Sequence, residues 1–128
     1  MKITYLIARV LLGFLFFVFG LNGFLQFIPM GPVPTGLAGQ FVVALMQSHY
    51  MYVVSALQLV AGLLLLLNRY VPLAVAILAP IIVNIALFHT LMAPAGLPLA
   101  IVTVILWVIV AYRIRPVFGG LLQQRVEA

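Results

Sequence analysis

The chain has 128 residues, of which 67% are hydrophobic and 5% are charged, and its formal net charge at pH 7 is +5. Soluble domains carry about 25% charged residues, so this composition excludes a water-facing surface and favours a protein embedded in the lipid bilayer. The six basic residues are scattered at the ends of apolar segments, a distribution that excludes a nucleic-acid-binding face.

Cysteine is absent from the sequence, and the single acidic residue is Glu127. Without cysteine, disulfides, dithiol redox chemistry and thiolate metal sites are excluded. Without a carboxylate in an apolar segment, carboxylate proton relays and acid–base pairs inside the membrane are excluded as well. No nucleophile–base arrangement, phosphate loop or dinucleotide fingerprint is present. The sequence therefore predicts no catalytic residues and no metal site, and it leaves open whether the protein is an enzyme.

Long apolar segments predict four membrane-spanning helices, at about residues 3–27, 50–67, 71–92 and 97–114. A helix needs about 20 apolar residues to cross a bilayer. A proline- and glycine-rich break follows the first span, and the apolar run after it, at about residues 37–48, is too short to cross. We interpret this run as an interfacial or re-entrant helix over one end of the bundle. The predicted fold is an all-α, integral membrane four-helix bundle in one domain, with a tail at residues 115–128.

Small and polar residues recur at helical spacing in the first span. Four of them share one side of the helix and predict a packing stripe: Arg9, Gly13, Gly20 and Gly23. Small residues on such a stripe let a second helix approach closely, and we expect Arg9 to extend to the headgroups. Asn22 and Gln26 are one turn apart on a different side, near the far end of the span.

The second and fourth spans carry polar residues on faces that we expect to pack. Ser55 and Gln58 lie one turn apart in the second span, a pattern that predicts hydrogen bonds between helices. Trp107 shares the inner face of the fourth span with Thr103. We interpret Gln58 and Trp107 as packing residues.

The third span contains Pro80, Asn84 and His89 in an otherwise apolar run. Pro80 lacks a backbone N–H, so it is expected to kink the helix and to free a carbonyl one turn earlier. Asn84 lies near the middle of the membrane, where an unpaired polar group is costly. We expect Asn84 to bond Gln58, Thr103 or the freed carbonyl, or else to join two copies of the chain.

The basic residues predict the orientation in the membrane. With four spans, six of them fall on one side: Lys2, Arg9, Arg69, Arg113, Arg115 and Arg125. The positive-inside rule then places both termini in the cytoplasm. His49 and His89 fall near the opposite, outer face.

His49 and His89 are the only side chains that titrate near neutral pH. One possibility is that each is an interfacial residue held by a backbone carbonyl or water. Alternatively, one imidazole bonds the carbonyl of a quinone-like lipophile, or both ligate a b-type haem. The predicted ligand-binding residues, near the outer mouth of the bundle, are His89, Asn84, His49, Gln26 and Asn22.

Two stretches of the chain resemble the DoxX family of small bacterial membrane proteins. One is Arg9-Val-Leu-Leu-Gly-Phe-Leu-Phe-Phe-Val-Phe-Gly-Leu-Asn-Gly-Phe24. The other is Val83-Asn84-Ile-Ala-Leu-Phe88-His89, followed by Pro94-x-Gly96-Leu-Pro98. The resemblance covers about residues 5–116, and the family-like positions are Arg9, Gly13, Gly20, Asn22, Gly23, Asn84 and His89.

This resemblance implies a four-helix bundle in the bacterial cytoplasmic membrane. It also implies a link to thiosulfate:quinone oxidoreductase or to other membrane redox and detoxification complexes, and distant animal relatives act as receptor-assembly chaperones. We therefore expect an accessory membrane subunit, associated with redox chemistry, that binds a quinone-like lipophile at the outer mouth. The alternatives are a helix-packing partner or assembly factor for another membrane protein, a b-haem protein and a small transporter. A homo-oligomer or a complex with a redox protein is the expected assembly.

Overall fold

The computed structural model describes residues 2–29 and 31–127. Its helices are α1 (Lys2–Leu25), α2 (Gly36–Gln47), α3 (Tyr50–Leu67), α4 (Val71–Leu91) and α5 (Leu97–Arg113). Short 3-10 segments lie at Pro94–Gly96 and Arg115–Leu122, and the described residues form no strand. The predicted all-α fold, with a short helix between the first two spans, is confirmed.

Four helical segments are long and apolar enough to cross a membrane, namely α1, α3, α4, and α5 together with the 3-10 turn before it (Pro94–Arg113). Only 17–33% of the residues in their most apolar windows are buried inside the protein. Most of the apolar surface therefore points outward, and a surface of that extent requires a lipid solvent. α2, with 12 residues, is shorter than a span.

The long helices form a ring in which each packs against two neighbours, in the order α1, α3, α4, α5 and back to α1. The contact between α1 and α3 is the most extensive, and α2 packs mainly on α3 outside the ring. The centre is filled by large side chains that are almost completely buried, among them Leu12, Phe16, Leu65, Leu78 and Val110.

Glycine brings α1 and α3 together. A Cβ added to Gly13 would lie 2.9 Å from the Leu65 Cβ and 3.0 Å from the Gly62 carbonyl oxygen. Gly62 in turn faces the backbone of Phe17, so neither helix has room for a side chain at these points. The glycine stripe of α1 is thus filled by α3. An assembly factor would need this stripe to be free to bind another protein, and it is not free.

Arg9 lies inside the bundle, and the expectation that it extends to the headgroups is wrong. Its side chain is 7% exposed, and Nη1 donates a hydrogen bond to the Leu65 carbonyl. Leu65 is two residues from the end of α3, where carbonyl groups carry a partial negative charge, and its oxygen also accepts the Asn68 N–H at 3.3 Å. The end of α3 therefore attracts the guanidinium inward.

Trp107 links α5 to α4. Its Nε1–H donates to the Val75 carbonyl at 3.0 Å, across a separation of 32 residues. Helix α4 continues through Pro80.

Candidate functional site

A cavity of about 430 Å³ lies among α1, α2 and α3, at the end of the bundle that α2 borders. Its polar lining consists of Asn22, Gln26, His49, Ser55 and Gln58. The rest of the wall is mainly apolar, with contributions from Phe19, Val42, Met46, Met51 and Tyr52, and none of the described lining residues is Lys, Arg, Asp or Glu. Ligand sites in proteins typically combine such a volume with an apolar wall and a few polar groups.

Helix α3 supplies the inner polar groups of the cavity. Ser55 and Gln58 are one turn apart, so they lie on the same side of the helix. Ser55 is 2% exposed, because Gly23 of α1 packs directly against its side chain. Neither the Ser55 hydroxyl nor the Gln58 amide has a protein hydrogen-bond partner within residues 2–29 and 31–127. Both groups therefore remain free to bind a ligand or water.

The end of α1 supplies two amides. The Asn22 Oδ1 accepts a hydrogen bond from the Ile28 N–H at 2.8 Å, and the Asn22 carbonyl accepts one from the Gln26 N–H at 2.8 Å. Gln26 has a φ of 51°, the left-handed backbone that reverses the chain as α1 ends. The oxygen atoms of Asn22 thus stabilise the chain where α1 ends. Its side-chain amide N–H groups remain available to the cavity.

Three aromatic rings form a column beside the cavity. The Tyr52 ring lies parallel to the His49 ring at an angle of 6° and to the Phe24 ring at 9°, with 5.6 Å between centroids in both pairs. His49 has a φ of 63° between α2 and α3, in the left-handed region. This residue separates α2 from α3, and its imidazole borders the cavity.

The structure divides the five predicted ligand-binding residues into two groups. Asn22, Gln26 and His49 line the cavity, whereas Asn84 and His89 line neither it nor the second cavity described below. The five residues predicted at the outer mouth therefore do not all border the same cavity. The histidine that borders the cavity is His49.

His89 is held by its own surroundings. Its Nδ1 lies 2.8 Å from the Ile85 carbonyl oxygen, which satisfies one ring nitrogen in the manner of an interfacial residue. Gly96 packs beneath the ring, and Phe88 contacts it edge-on with 5.1 Å between centroids. His49 borders the first cavity and His89 borders neither this cavity nor the second one, so these two cavities lend no support to haem ligation by both side chains.

Asn84 does not join the helices of the bundle. Its Nδ2–H donates to the Pro80 carbonyl of the same helix at 2.8 Å, and its side chain is exposed. Thr103, one of its expected partners, bonds the Leu99 carbonyl of its own helix at 2.9 Å. The expected bond from Asn84 to Gln58, to Thr103 or to the carbonyl freed by Pro80, that of Ala76, is wrong. The reason is that α4 turns Ala74, Leu78 and Ile82 inward and Asn84 outward.

A second cavity of about 400 Å³ lies between α4 and α5 and is almost wholly apolar. Val83, Leu87 and Thr90 line it from α4, and Val104, Trp107 and Val108 from α5. It offers only Thr90 and Trp107 as polar lining, and the Trp107 N–H is already bonded to Val75.

Sequence patterns missed several lining residues of the first cavity, notably Met46, Met51 and Tyr52. Individually they read as ordinary apolar residues of α2 and α3. The available signal is the combination of the Gly20 and Gly23 stripe with the Ser55 and Gln58 stripe. Two such stripes favour close pairing of the first and second spans, and that pairing brings Asn22 and Gln26 to the start of α3.

Fold and site together define a multi-pass α-helical membrane protein with a mixed polar and apolar cavity at one end of the bundle. The family model described as DoxX matches residues 4–91, more than half of the chain, and the protein belongs to the DoxX family. The resemblance seen in the sequence is confirmed, with α5 outside the matched region. No curated protein and no solved structure matches the chain significantly.

Proposed function

We propose that this DoxX family protein is an accessory membrane subunit that binds a quinone-like lipophile in the cavity bordered by α1, α2 and α3. The observation that carries the proposal is the pair of unbonded polar groups, Ser55 and Gln58, on an apolar-walled cavity of about 430 Å³. In a low-dielectric site an unpaired polar group is costly, and a ligand that bonds it is favoured correspondingly.

The lining chemistry favours a neutral ring with hydrogen-bond acceptors. Charged ligands would lose their hydration without gaining an opposite charge among the described lining residues. Gln58, Ser55 and Asn22 can donate to carbonyl oxygens, and the sulfurs of Met46 and Met51 make favourable contacts with aromatic faces. A bound quinone would supply the redox chemistry. The residues of the chain would bind it, orient it and exclude water.

The proposed site differs from the sequence-based expectation in its histidine. The imidazole nearest the proposed ligand is His49, which stacks on Tyr52 and borders the cavity. His89 keeps a structural role at the turn between α4 and α5.

The protein purified in mild detergent tests the proposal. Lipophilic molecules extracted with it are identified by mass, and a short-chain ubiquinone is titrated into the extracted protein by calorimetry. Saturable binding supports the proposal. Absence of both a co-purified quinone and saturable binding would overturn it, and a Soret band in the absorption spectrum would point to haem instead.

Variants locate the binding site. Ser55→Ala and Gln58→Leu each remove one hydrogen bond to the ligand, which corresponds to about a 2- to 10-fold loss of affinity. Thr103→Val is the matched control, because its hydroxyl is also buried but bonds the Leu99 carbonyl of its own helix, away from the cavity. Equal affinity in all three variants would place the ligand elsewhere.

For the orientation, we propose that both termini face the cytoplasm of a bacterial cell. The support is the distribution of the basic residues, which with four spans fall on one side. A reporter domain inserted at Pro94–Gly96 should then be translocated to the outer side of the cytoplasmic membrane. A reporter active only in the cytoplasm at that position would contradict this orientation.

The second candidate function is a helix-packing partner or assembly factor for another membrane protein. The glycine stripe of α1 cannot serve it, because α3 fills that stripe. The observation that favours it is the exposed Asn84 amide on the outer side of α4. A defined membrane partner that co-purifies with the native chain and is lost with Asn84→Leu would support this function.

A further inference from the structure

The outward side of α4 carries a polar group in the middle of an apolar span. We define the Asn84 face as Ala76, Pro80, Val83, Asn84 and Leu87, all of which are exposed. Helix α4 runs over the 21 residues Val71–Leu91, so Asn84 lies three residues beyond its midpoint. At 1.5 Å per residue this is about 5 Å from the middle of the helix.

The Asn84 amide has hydrogen-bonding capacity that the chain does not use. One Nδ2–H bonds the Pro80 carbonyl, and the described residues provide no partner for the second N–H or for Oδ1. Lipid tails offer neither donors nor acceptors. A surface that stays against hydrocarbon would leave these groups unpaired.

The same face carries a backbone carbonyl that lacks the donor of a regular helix. Pro80 has no N–H, so the Ala76 carbonyl loses the donor that a regular helix would provide. Ala76 and Asn84 are each one turn from Pro80 on this face, one on either side of it. Ala76 and Pro80 also project little side chain, which allows another helix to come close.

We infer that the Asn84 face is a self-association surface on which a second copy of this chain packs. The inference goes beyond the proposed functions, because it assigns this face to a copy of the same chain instead of to another membrane protein. Two copies inserted in the same orientation are related by a two-fold axis along the membrane normal. Each residue near that axis then meets its own counterpart at the same depth. An amide both donates and accepts, so Asn84 is complementary to itself.

The neighbouring cavity between α4 and α5 suits the same arrangement. Val83 and Leu87 belong both to the Asn84 face and to the wall of this apolar cavity of about 400 Å³. Apolar side chains of a second α4 could occupy it while the two amides meet. A symmetric contact would fill one such cavity on each copy.

The test uses the full-length chain in liposomes. The chain has no cysteine, so Val126→Cys in the exposed tail provides a single labelling position for donor and acceptor dyes. Energy transfer is measured as the ratio of protein to lipid is varied. We expect transfer above the random-proximity level, with a dissociation constant that Asn84→Leu raises about 3- to 30-fold for each interhelical bond lost.

Two further variants serve as controls for the loss of the Asn84 amide. Asn84→Gln retains an amide and should retain association. Tyr50→Phe removes an exposed hydroxyl at the start of α3, outside the Asn84 face and its cavity, and should leave association unchanged. Asn84 is exposed, so its substitution should leave the fold intact, which circular dichroism checks.

Cross-linking gives an independent reading. Leu87→Cys on the Asn84 face should form a disulfide between copies in the membrane, whereas the exposed Leu11→Cys of α1 should not. A chain that stays monomeric at every protein-to-lipid ratio would overturn the inference, as would association indifferent to Asn84→Leu. The quinone titration and the search for a different membrane partner are separate measurements. A negative result in either of them can therefore be distinguished from a failure of the chain to self-associate.

Discussion

Gly23 of α1 lies directly against Ser55 of α3, so that a methyl group on Gly23 would overlap the Ser55 side chain. The absence of a side chain at Gly23 keeps the two helices close and leaves the Ser55 hydroxyl at the boundary of the cavity. The spacing of α1 and α3 and the shape of the cavity therefore depend on the same contact.

Gly20→Val should destabilise the bundle. An added Cβ would lie 2.5 Å from the Leu59 nitrogen and 2.8 Å from the Ser55 carbonyl oxygen, and these backbone atoms cannot turn aside as a flexible side chain could. We expect a loss of about 1–3 kcal/mol from the helix displacement that follows. Unfolding in detergent micelles, followed by circular dichroism, measures it. Gly119→Val, at a position with open space around it, is the control, and equal stability of the two variants would contradict the interpretation.

Trp107→Phe should weaken the contact between α4 and α5. The substitution keeps most of the aromatic volume but removes the Nε1–H that bonds the Val75 carbonyl at 3.0 Å. We expect the free energy of unfolding to fall by about 1 kcal/mol. Tyr112→Phe, an exposed aromatic position on the same helix, should change it little. Indistinguishable unfolding curves for the two variants would show that the indole bond does not stabilise the bundle.

Gly96→Ala and His89→Ala should be energetically coupled. A Cβ on Gly96 would overlap the His89 ring and displace it from the Ile85 carbonyl, at a cost of about 1 kcal/mol. In a chain that already carries His89→Ala, the same glycine substitution should cost less. A double-mutant cycle of unfolding free energies measures the difference. Strict additivity would mean that the ring moves aside freely.

His49 should tolerate asparagine better than valine. Its φ of 63° lies in the left-handed region, where His, Asn and Asp are enriched and β-branched residues are strained. We expect His49→Asn to unfold with nearly native stability and His49→Val to lose about 1–2 kcal/mol. Because asparagine removes the ring that stacks on Tyr52, it also separates the backbone role of His49 from its imidazole. Similar losses in both variants would assign the stability to the ring.

The overall fold could be predicted because the length of an apolar run is a local property of the chain. A run of about 20 apolar residues indicates a span whatever surrounds it, and the 12 residues of α2 fall short of that length. The glycines of α1 likewise predicted a close helix contact. They did not identify the partner helix, and the choice of α3 left no face free for another protein.

The orientation of α4 could not be predicted in the same way. Its apolar residues surround the whole helix, so the pattern does not mark the side that faces inward. The sequence therefore leaves two partners open for Asn84, a group inside the bundle or a second copy of the chain, and the structure turns its side chain outward. The cavity depends similarly on which helices become neighbours. Asn22, Gln26 and His49 were recognised singly, but their meeting with Ser55 follows from the order of helices in the ring.

The hydrogen bond from Arg9 to the Leu65 carbonyl has a consequence for synthesis of the protein in the cell. The ribosome makes Arg9 56 residues before its acceptor. When α1 first leaves the insertion machinery, its guanidinium has no acceptor in its final position, and a cation alone in hydrocarbon is costly. Helix α1 is thus expected to stay near the translocon or the membrane surface until α3 arrives. Although α1 is made before α3, it would then reach its final place only after α3 has entered the membrane.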